Sequence, residues 1–285
     1  MSIHVFCHIE KTGGTSVIRW LRQSLGRRHC DLITFRNQRN LANSADIRIA
    51  RMTHPHLASI AGHSIRPFVE NLPHSSLTWS TLLREPFRRY VSDFRHFVRH
   101  MAFPPNFELW LEWGERANFQ CQALGGEPSK DRAIDVILQR DIMVGRLDDL
   151  TAFQNSLAAV HGLQHAGTTL SRRVVNKAPA DGFSEEEIFD IYGDAIVRAN
   201  REDAALYEWA RGRALEAPDT HSPPQPAADR EMLNRLWRSA VYKPSVLQNP
   251  TRAHSLRSYG EARERSPAMW HQLICGAAEP SEDGC

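Results

Sequence analysis

The chain has 285 residues, 41% of them hydrophobic and 24% charged, a globular composition that excludes wholesale disorder and a fibrous repeat. Thirty-five Lys and Arg against 33 Asp and Glu leave a formal net charge of +2. That is too balanced for a protein whose main task is coating nucleic acid. No apolar run approaches the roughly 18–20 residues that span a bilayer. The opening MSIHVFCHIEKTGG lacks a basic n-region and a small-residue cleavage site, so it does not read as a signal peptide. Five cysteines (Cys7, Cys30, Cys121, Cys275, Cys285) are an odd number without a CxxC pair. They argue against a zinc knuckle or a disulfide framework and for a reducing compartment, and a cytoplasmic protein is expected. The basic residues are Arg in all but four cases, and this usage fits a bacterial source.

In chain order, Ile3 to Ile9 is short, β-prone and ends in a Gly-rich turn, which predicts a buried strand. Thr15 to Leu25 then follows helical spacing through Val17, Ile18, Leu21 and Leu25. Asp31 to Phe35 and Leu57 to Gly62 are weaker strands, and Leu77 to Leu83 is a clearer one. Pro86 suits the first turn of a helix, whose apolar face is Phe87, Tyr90, Val91, Phe94, Phe97, Val98 and Met101. Leu147, Leu150, Phe153, Leu157 and Val160 mark another helix. Ser184 to Glu187 forms a capping box ahead of Ile188, with helix continuing to about Arg213. Strands alternating with helices predict an α/β fold with a central, mostly parallel sheet flanked by helices. Residues 214–229 are Pro-rich and read as a linker. Beyond them, residues 230–285 carry one amphipathic segment with Met232, Leu233, Leu236, Trp237 and Val241.

Two segments carry chemistry. His8-Ile-Glu-Lys11-Thr12-Gly13-Gly14-Thr15-Ser16 lies where a strand becomes a helix. Glycines let backbone approach a ligand, and the helix start offers unpaired N–H groups and partial positive charge. Lys11 adds a full charge, and Thr12, Thr15 and Ser16 add hydroxyls. The result is a cradle for a phosphate-like anion, the bland alternative being a tight turn before a Ser/Thr-rich helix. It is not a Walker A loop, because Lys precedes the glycines. The second segment, Arg84-Glu-Pro86-Phe-Arg-Arg89-Tyr-Val-Ser92, sets Arg84 at the carboxyl end of a strand, where open α/β sheets bind ligands. Its guanidinium and the Ser92 hydroxyl suit a second phosphate. Taken alone, that segment is better explained as an Arg at a solvated basic helix start.

Together and in this order the two segments resemble the nucleotide-binding motifs of sulfotransferases that use 3′-phosphoadenosine-5′-phosphosulfate (PAPS). The resemblance is closest to the carbohydrate type, which includes the heparan sulfate 2-O- and 6-O-sulfotransferases. The family's first loop reads approximately H-I-P-K-T-G-G-T-S, and only Glu10 departs from it. The second reads approximately R-D-P-x-x-R-x-x-S, matched by Arg84, Pro86, Arg89 and Ser92, with Glu85 for Asp. Asn118-Phe-Gln120, Gly145-Arg-Leu-Asp148 and Asn200-Arg-Glu-Asp203-Ala-Ala-Leu206-Tyr207 are weaker echoes.

The resemblance implies a P-loop NTPase-like three-layer fold and a sulfotransferase domain over residues 1–213. It assigns Lys11, Thr12, Gly13, Gly14, Thr15 and Ser16 to the 5′-phosphosulfate, and Arg84 and Ser92 to the 3′-phosphate. Lys11 and His63 become the catalytic pair, as the cation that offsets charge on the departing phosphate and as the general base. No metal is expected, and His54-Pro-His56 lacks further ligand spacing. The acceptor would be a hydroxyl of a glycan, glycolipid or small metabolite. Glu10 is awkward beside such a loop unless it turns away, pairs with an Arg such as Arg19 or Arg22, or serves as the base itself. Arg172-Arg173 and Asn176-Lys177 form a basic loop able to reach an anion, or merely a solvated turn. Trp110 and Trp113, three residues apart, read as core before they read as a sugar platform. A nucleotide-dependent kinase or NTPase, and a non-catalytic nucleotide binder, are the competing functions.

Overall fold

The structure, a computed structural model, describes residues 2–32, 41–54, 56–70, 72, 76–161 and 184–213. The Pro-rich linker, the 230–285 extension, the basic loop at residues 172–177 and the part of the second expected strand at residues 33–35 lie outside the described residues.

Among the described residues five strands form the sheet: β1 (Ile3–Cys7), β2 (His29–Asp31), β3 (Ser59–Gly62), β4 (Leu77–Leu83) and β5 (Ile142–Arg146). All are parallel, in the order β2-β3-β1-β4-β5. The helices among the described residues are α1 (Gly14–Leu25), α2 (Ser44–Thr53), α3 (Pro86–His100), α4 (Phe107–Trp113), α5 (Phe119–Gly125), α6 (Lys130–Gln139), α7 (Leu150–Val160), α8 (Glu185–Ala199) and α9 (Arg201–Arg211). The expected α/β architecture is therefore present, and the sheet is wholly rather than mostly parallel. β2 begins two residues before its expected start. The sequence pattern does not single out β5, because Gly145 interrupts a run of only five residues.

Every residue of β1 is buried, as a central strand covered on both faces requires. Ile3, Val5 and Cys7 pack with Trp79 and with residues of α5, α6 and α9. Phe6 points the other way, into Val17, Trp20 and Leu21 of α1 and Phe153 and Leu157 of α7. A third cluster joins α3, α4 and α8 through Tyr90, Phe94, Trp110 and Ile188. Trp110 is fully buried there, so it is core.

The chain runs from β1 outward to β2, returns to β3, then crosses β1 to reach β4. That reversal sets the switch point of the sheet between the carboxyl ends of β1 and β4, the crevice where this architecture binds ligands.

At the opposite end of the sheet, His4 lies on the Phe6 face. It shares Nε2 with the Ser80 hydroxyl at 2.7 Å and Nδ1 with His161 Nε2 at 3.2 Å. His161 closes the last turn of α7. Burial is the main reason that both imidazoles resist protonation: His4 is held well below the usual 6.5 and His161 falls to about 4, with His29 adding repulsion to each. The unfolded chain therefore binds protons below pH 6.5 that the folded chain refuses. Stability is expected to be complete above pH 6.5 and to decline as pH falls toward about 4. Urea midpoints across that range check this, and His161→Ala should flatten the slope.

Candidate active site

Three adjacent strands end together. Parallel register sets Cys7 of β1 opposite Gly62 of β3 and Thr81 of β4. The residues that follow are the loop from His8 on β1, His63 on β3 and Arg84 on β4. Sequence-distant groups thus meet because strands in a sheet run about 4.8 Å apart.

The β1 loop is tightly built. Lys11 and Gly13 both take left-handed backbone, with φ of 66° and 90°. That is unfavourable for Lys, whereas Gly13 adopts it freely. A Cβ at Gly13 would also stand 2.6 Å from Leu147 Cδ1, and one at Gly14 would stand 2.0 Å from the His8 ring. Both glycines are therefore sterically required. Thr12 is fully buried and its hydroxyl donates to the Ile9 carbonyl at 2.9 Å, tying the turn together. Ser16 N–H donates to the Gly13 carbonyl at 3.0 Å, while the first N–H groups of α1 have no acceptor within the helix. Thr15 is exposed and Ser16 half-buried at that helix start.

Lys11 is half-buried, and its ammonium makes no ion pair with any described residue. Burial lowers its pKa, Asp93 opposes the shift, and Arg84 and Arg99 lower it further. Arg84 donates from Nη1 to the Lys11 carbonyl at 3.0 Å, which joins the two sequence segments directly. Ser92 follows on α3, half-buried and beyond the first turn.

The weaker echoes of the sequence converge on this pair. Gln120 is fully buried and clamps the Arg84 backbone from both sides: Arg84 N–H donates to Oε1 at 2.9 Å, and Nε2 donates to the Arg84 carbonyl at 3.0 Å. The helices that carry Gln120 and Asp203 cap each other. Asp203 accepts from the N–H groups of Gln120 and Cys121, while Asn118 Oδ1 accepts from those of Glu202 and Asp203. Tyr207 donates to Asp148 at 2.6 Å, steadying the turn that presses Leu147 onto Gly13. Phe153 lies against Gly145, where a Cβ would stand 2.2 Å from the ring.

His63 is half-exposed, with its ring stacked on His8 at 4.0 Å between centroids. Its Nδ1 lies 3.0 Å from the His8 carbonyl, and a carbonyl only accepts. Nδ1 therefore carries the proton, and in the neutral ring Nε2 keeps a free lone pair. Burial is the largest cause of a lowered pKa; Glu10 and the His8 carbonyl oppose it, and Arg66 and Arg116 add to it.

Glu10 corrects one expectation. Its partner is Arg66, at 3.2 Å, and neither Arg19 nor Arg22; Arg22 pairs with Asp31. Arg66 follows β3 and is 56 positions away, so no local pattern could have named it. Burial raises the Glu10 pKa, but Arg66, His63 and Arg116 together outweigh it and leave the carboxyl below its usual range. Such a carboxylate is a poor base. Arg116 was also missed: it donates to Asp93 at 2.8 Å and lies 3.5 Å over the Phe119 ring, beside the site. His54 is buried with Nδ1 on the Ala50 carbonyl. Among the described residues no group of three or more His, Cys, Asp or Glu is arranged to hold a metal.

A Gly-rich strand-to-helix turn carrying Lys11, the Arg84 guanidinium on the neighbouring strand and the His63 imidazole on the third thus stand at one end of the sheet. Residues 4–160 match the sulfotransferase family, and the chain belongs to it. The chain transfers a sulfuryl group. No curated protein matches the chain closely enough to be counted a relative.

Gln120→Leu keeps the volume and strands both backbone groups of Arg84. A loss of about 2–4 kcal/mol is expected, read as a lower urea midpoint. An unchanged midpoint would mean that the clamp contributes nothing.

Proposed function

We propose that the chain moves the sulfuryl group of PAPS to a hydroxyl of a carbohydrate or glycolipid acceptor, as the heparan sulfate 2-O- and 6-O-type enzymes that its motifs resemble do. The observation that carries this reading is the hydrogen bond from Arg84 to the Lys11 carbonyl. It unites two anion-binding segments 73 positions apart, as a donor with phosphates at both 5′ and 3′ positions demands.

In this reading the α1 N–H groups, the hydroxyls of Thr15 and Ser16 and the Lys11 ammonium hold the 5′-phosphosulfate. Gly13 and Gly14 let the backbone close on it, and Thr12 keeps the turn in shape. Arg84 and Ser92 take the 3′-phosphate. His63 Nε2 removes the proton of the acceptor hydroxyl as its oxygen attacks sulfur. The bond from sulfur to the 5′-phosphate oxygen breaks in line, and Lys11 offsets the charge gathering on that oxygen. The proton leaves His63 for solvent, and the phosphate product departs. No step needs a metal.

We further infer that residues 1–213 form the catalytic unit, with 214–229 as linker and 230–285 as an extension. Cys7, Cys30 and Cys121 are buried free thiols, which supports the cytoplasmic setting proposed here.

Calorimetry with 3′-phosphoadenosine-5′-phosphate (the desulfated product), ATP and ADP tests the donor. Selective binding of the 3′-phosphorylated nucleotide is expected, weakened about ten- to hundredfold in Arg84→Ala. A Mg²⁺-dependent preference for ATP, or no binding, would turn the reading toward a kinase or a non-catalytic binder. His63→Ala should lower sulfation about 10²–10⁴-fold and leave product binding intact. In the wild type, the acid limb of the pH–rate profile should fall below 6.5.

A further inference from the structure

The first loop of this chain carries Glu10 where the pattern it resembles carries proline, and a carboxylate there meets the candidate base. Glu10 spans two groups from opposite sides: Oε2 accepts from Arg66 Nη2 at 3.2 Å, and Oε1 stands 3.8 Å from His63 Nδ1. The second distance is beyond a hydrogen bond and within ion-pair reach. Arg66 is itself fixed, almost fully buried with Nη1 against Cys7 Sγ at 3.9 Å and its guanidinium 5.8 Å from the Phe119 ring. Glu10 is therefore held in place by a partner that cannot lose its charge.

We propose that Glu10 is the positioning residue of His63, orienting its Nδ1–H face together with the His8 carbonyl and stabilising the imidazolium that forms when Nε2 takes the acceptor's proton. This rests on the reading of His63 as base. The logic is that of a carboxylate behind a catalytic histidine: it stays ionised and never receives the proton. Glu10 answers a specific need here. The charged and titratable groups around His63 are His8, Glu10, Arg66 and Arg116, and of these only Glu10 is an acid. Without it, Arg66 would face the ring with no counter-charge, while Arg116 keeps Asp93, and the proton that catalysis requires would be repelled. The carboxyl's lowered pKa keeps it anionic throughout the working range.

The test is an NMR titration of the His63 ring, assigned by the signal lost in His63→Ala, in the wild type, Glu10→Gln and Glu10→Asp. Glu10→Gln removes the charge and keeps the shape, so the His63 midpoint should move down. Glu10→Asp retains the charge and should stay nearer the wild type. If the Gln variant fails to fold, Glu10→Ala is titrated in its place, with the same downward shift expected. An unmoved or raised midpoint in the charge-free variant overturns the proposal, since a purely structural Glu10 would not set the ring's proton affinity. The titration needs neither donor nor acceptor, so its failure is distinct from that of the base reading, which sinks only if His63→Ala keeps its turnover.

Discussion

The parallel register of β3, β1 and β4 is the constraint on which the rest of the molecule depends. It brings His63, the Lys11 loop and Arg84 out of three neighbouring strand ends, side by side and on one edge of the sheet. A parallel sheet can be entered only through crossovers, so these groups must be far apart in sequence to be close in space. Arg84 then locks the arrangement by donating to the Lys11 carbonyl, which fixes a backbone already held in left-handed conformation at Lys11 and Gly13. That contact joins the turn, already held by Thr12 and the two glycines, to the end of β4.

Electrostatics divides the site's cations by task. Arg66 is neutralised by Glu10, and Arg89 and Arg116 share Asp93. Lys11 has no such counter-charge among the described residues, although Asp93 lies near enough to be felt. A half-buried, uncompensated ammonium beside a helix start is costly in the empty protein and favours an anion strongly. Burial is the main reason that the His63 imidazole resists protonation, with Arg66 and Arg116 adding to it and Glu10 and the His8 carbonyl opposing it.

Behind these groups stands a layer that does no chemistry. The mutual capping of α5 and α9 satisfies helix-end N–H groups that would otherwise be buried without acceptors, and it aims Gln120 at the Arg84 backbone. Tyr207 and Asp148 steady the turn after β5, whose Leu147 covers Gly13. Replacement of Gly13 by any larger residue would push on that layer, and replacement of Gly14 on the His8 ring. The aromatic cluster of α3, α4 and α8 anchors the helix that carries Ser92.

Much of this was legible in the order of residues. The Ile3–Cys7 strand, its Gly-rich turn and α1 follow from β-prone residues, glycines and a 3.6-residue period, each a local property. Pro86 and the Ser184 capping box announce α3 and α8 for the same reason, and the box is present in full. The sequence by itself thus determined the α/β class and pointed to the two segments proposed to hold the donor's phosphates. It was silent where information is non-local. β5 is too short and too interrupted to show a period, and the roles of Asn118, Asp148 and Asp203 come from contacts of α9 with α5 and with the turn after β5. Only the tertiary structure decided that Glu10 faces Arg66 and His63 rather than an arginine of α1. The physical reason is that ion pairs across parallel strands are chosen by register and burial, and neither is written in the residues nearby.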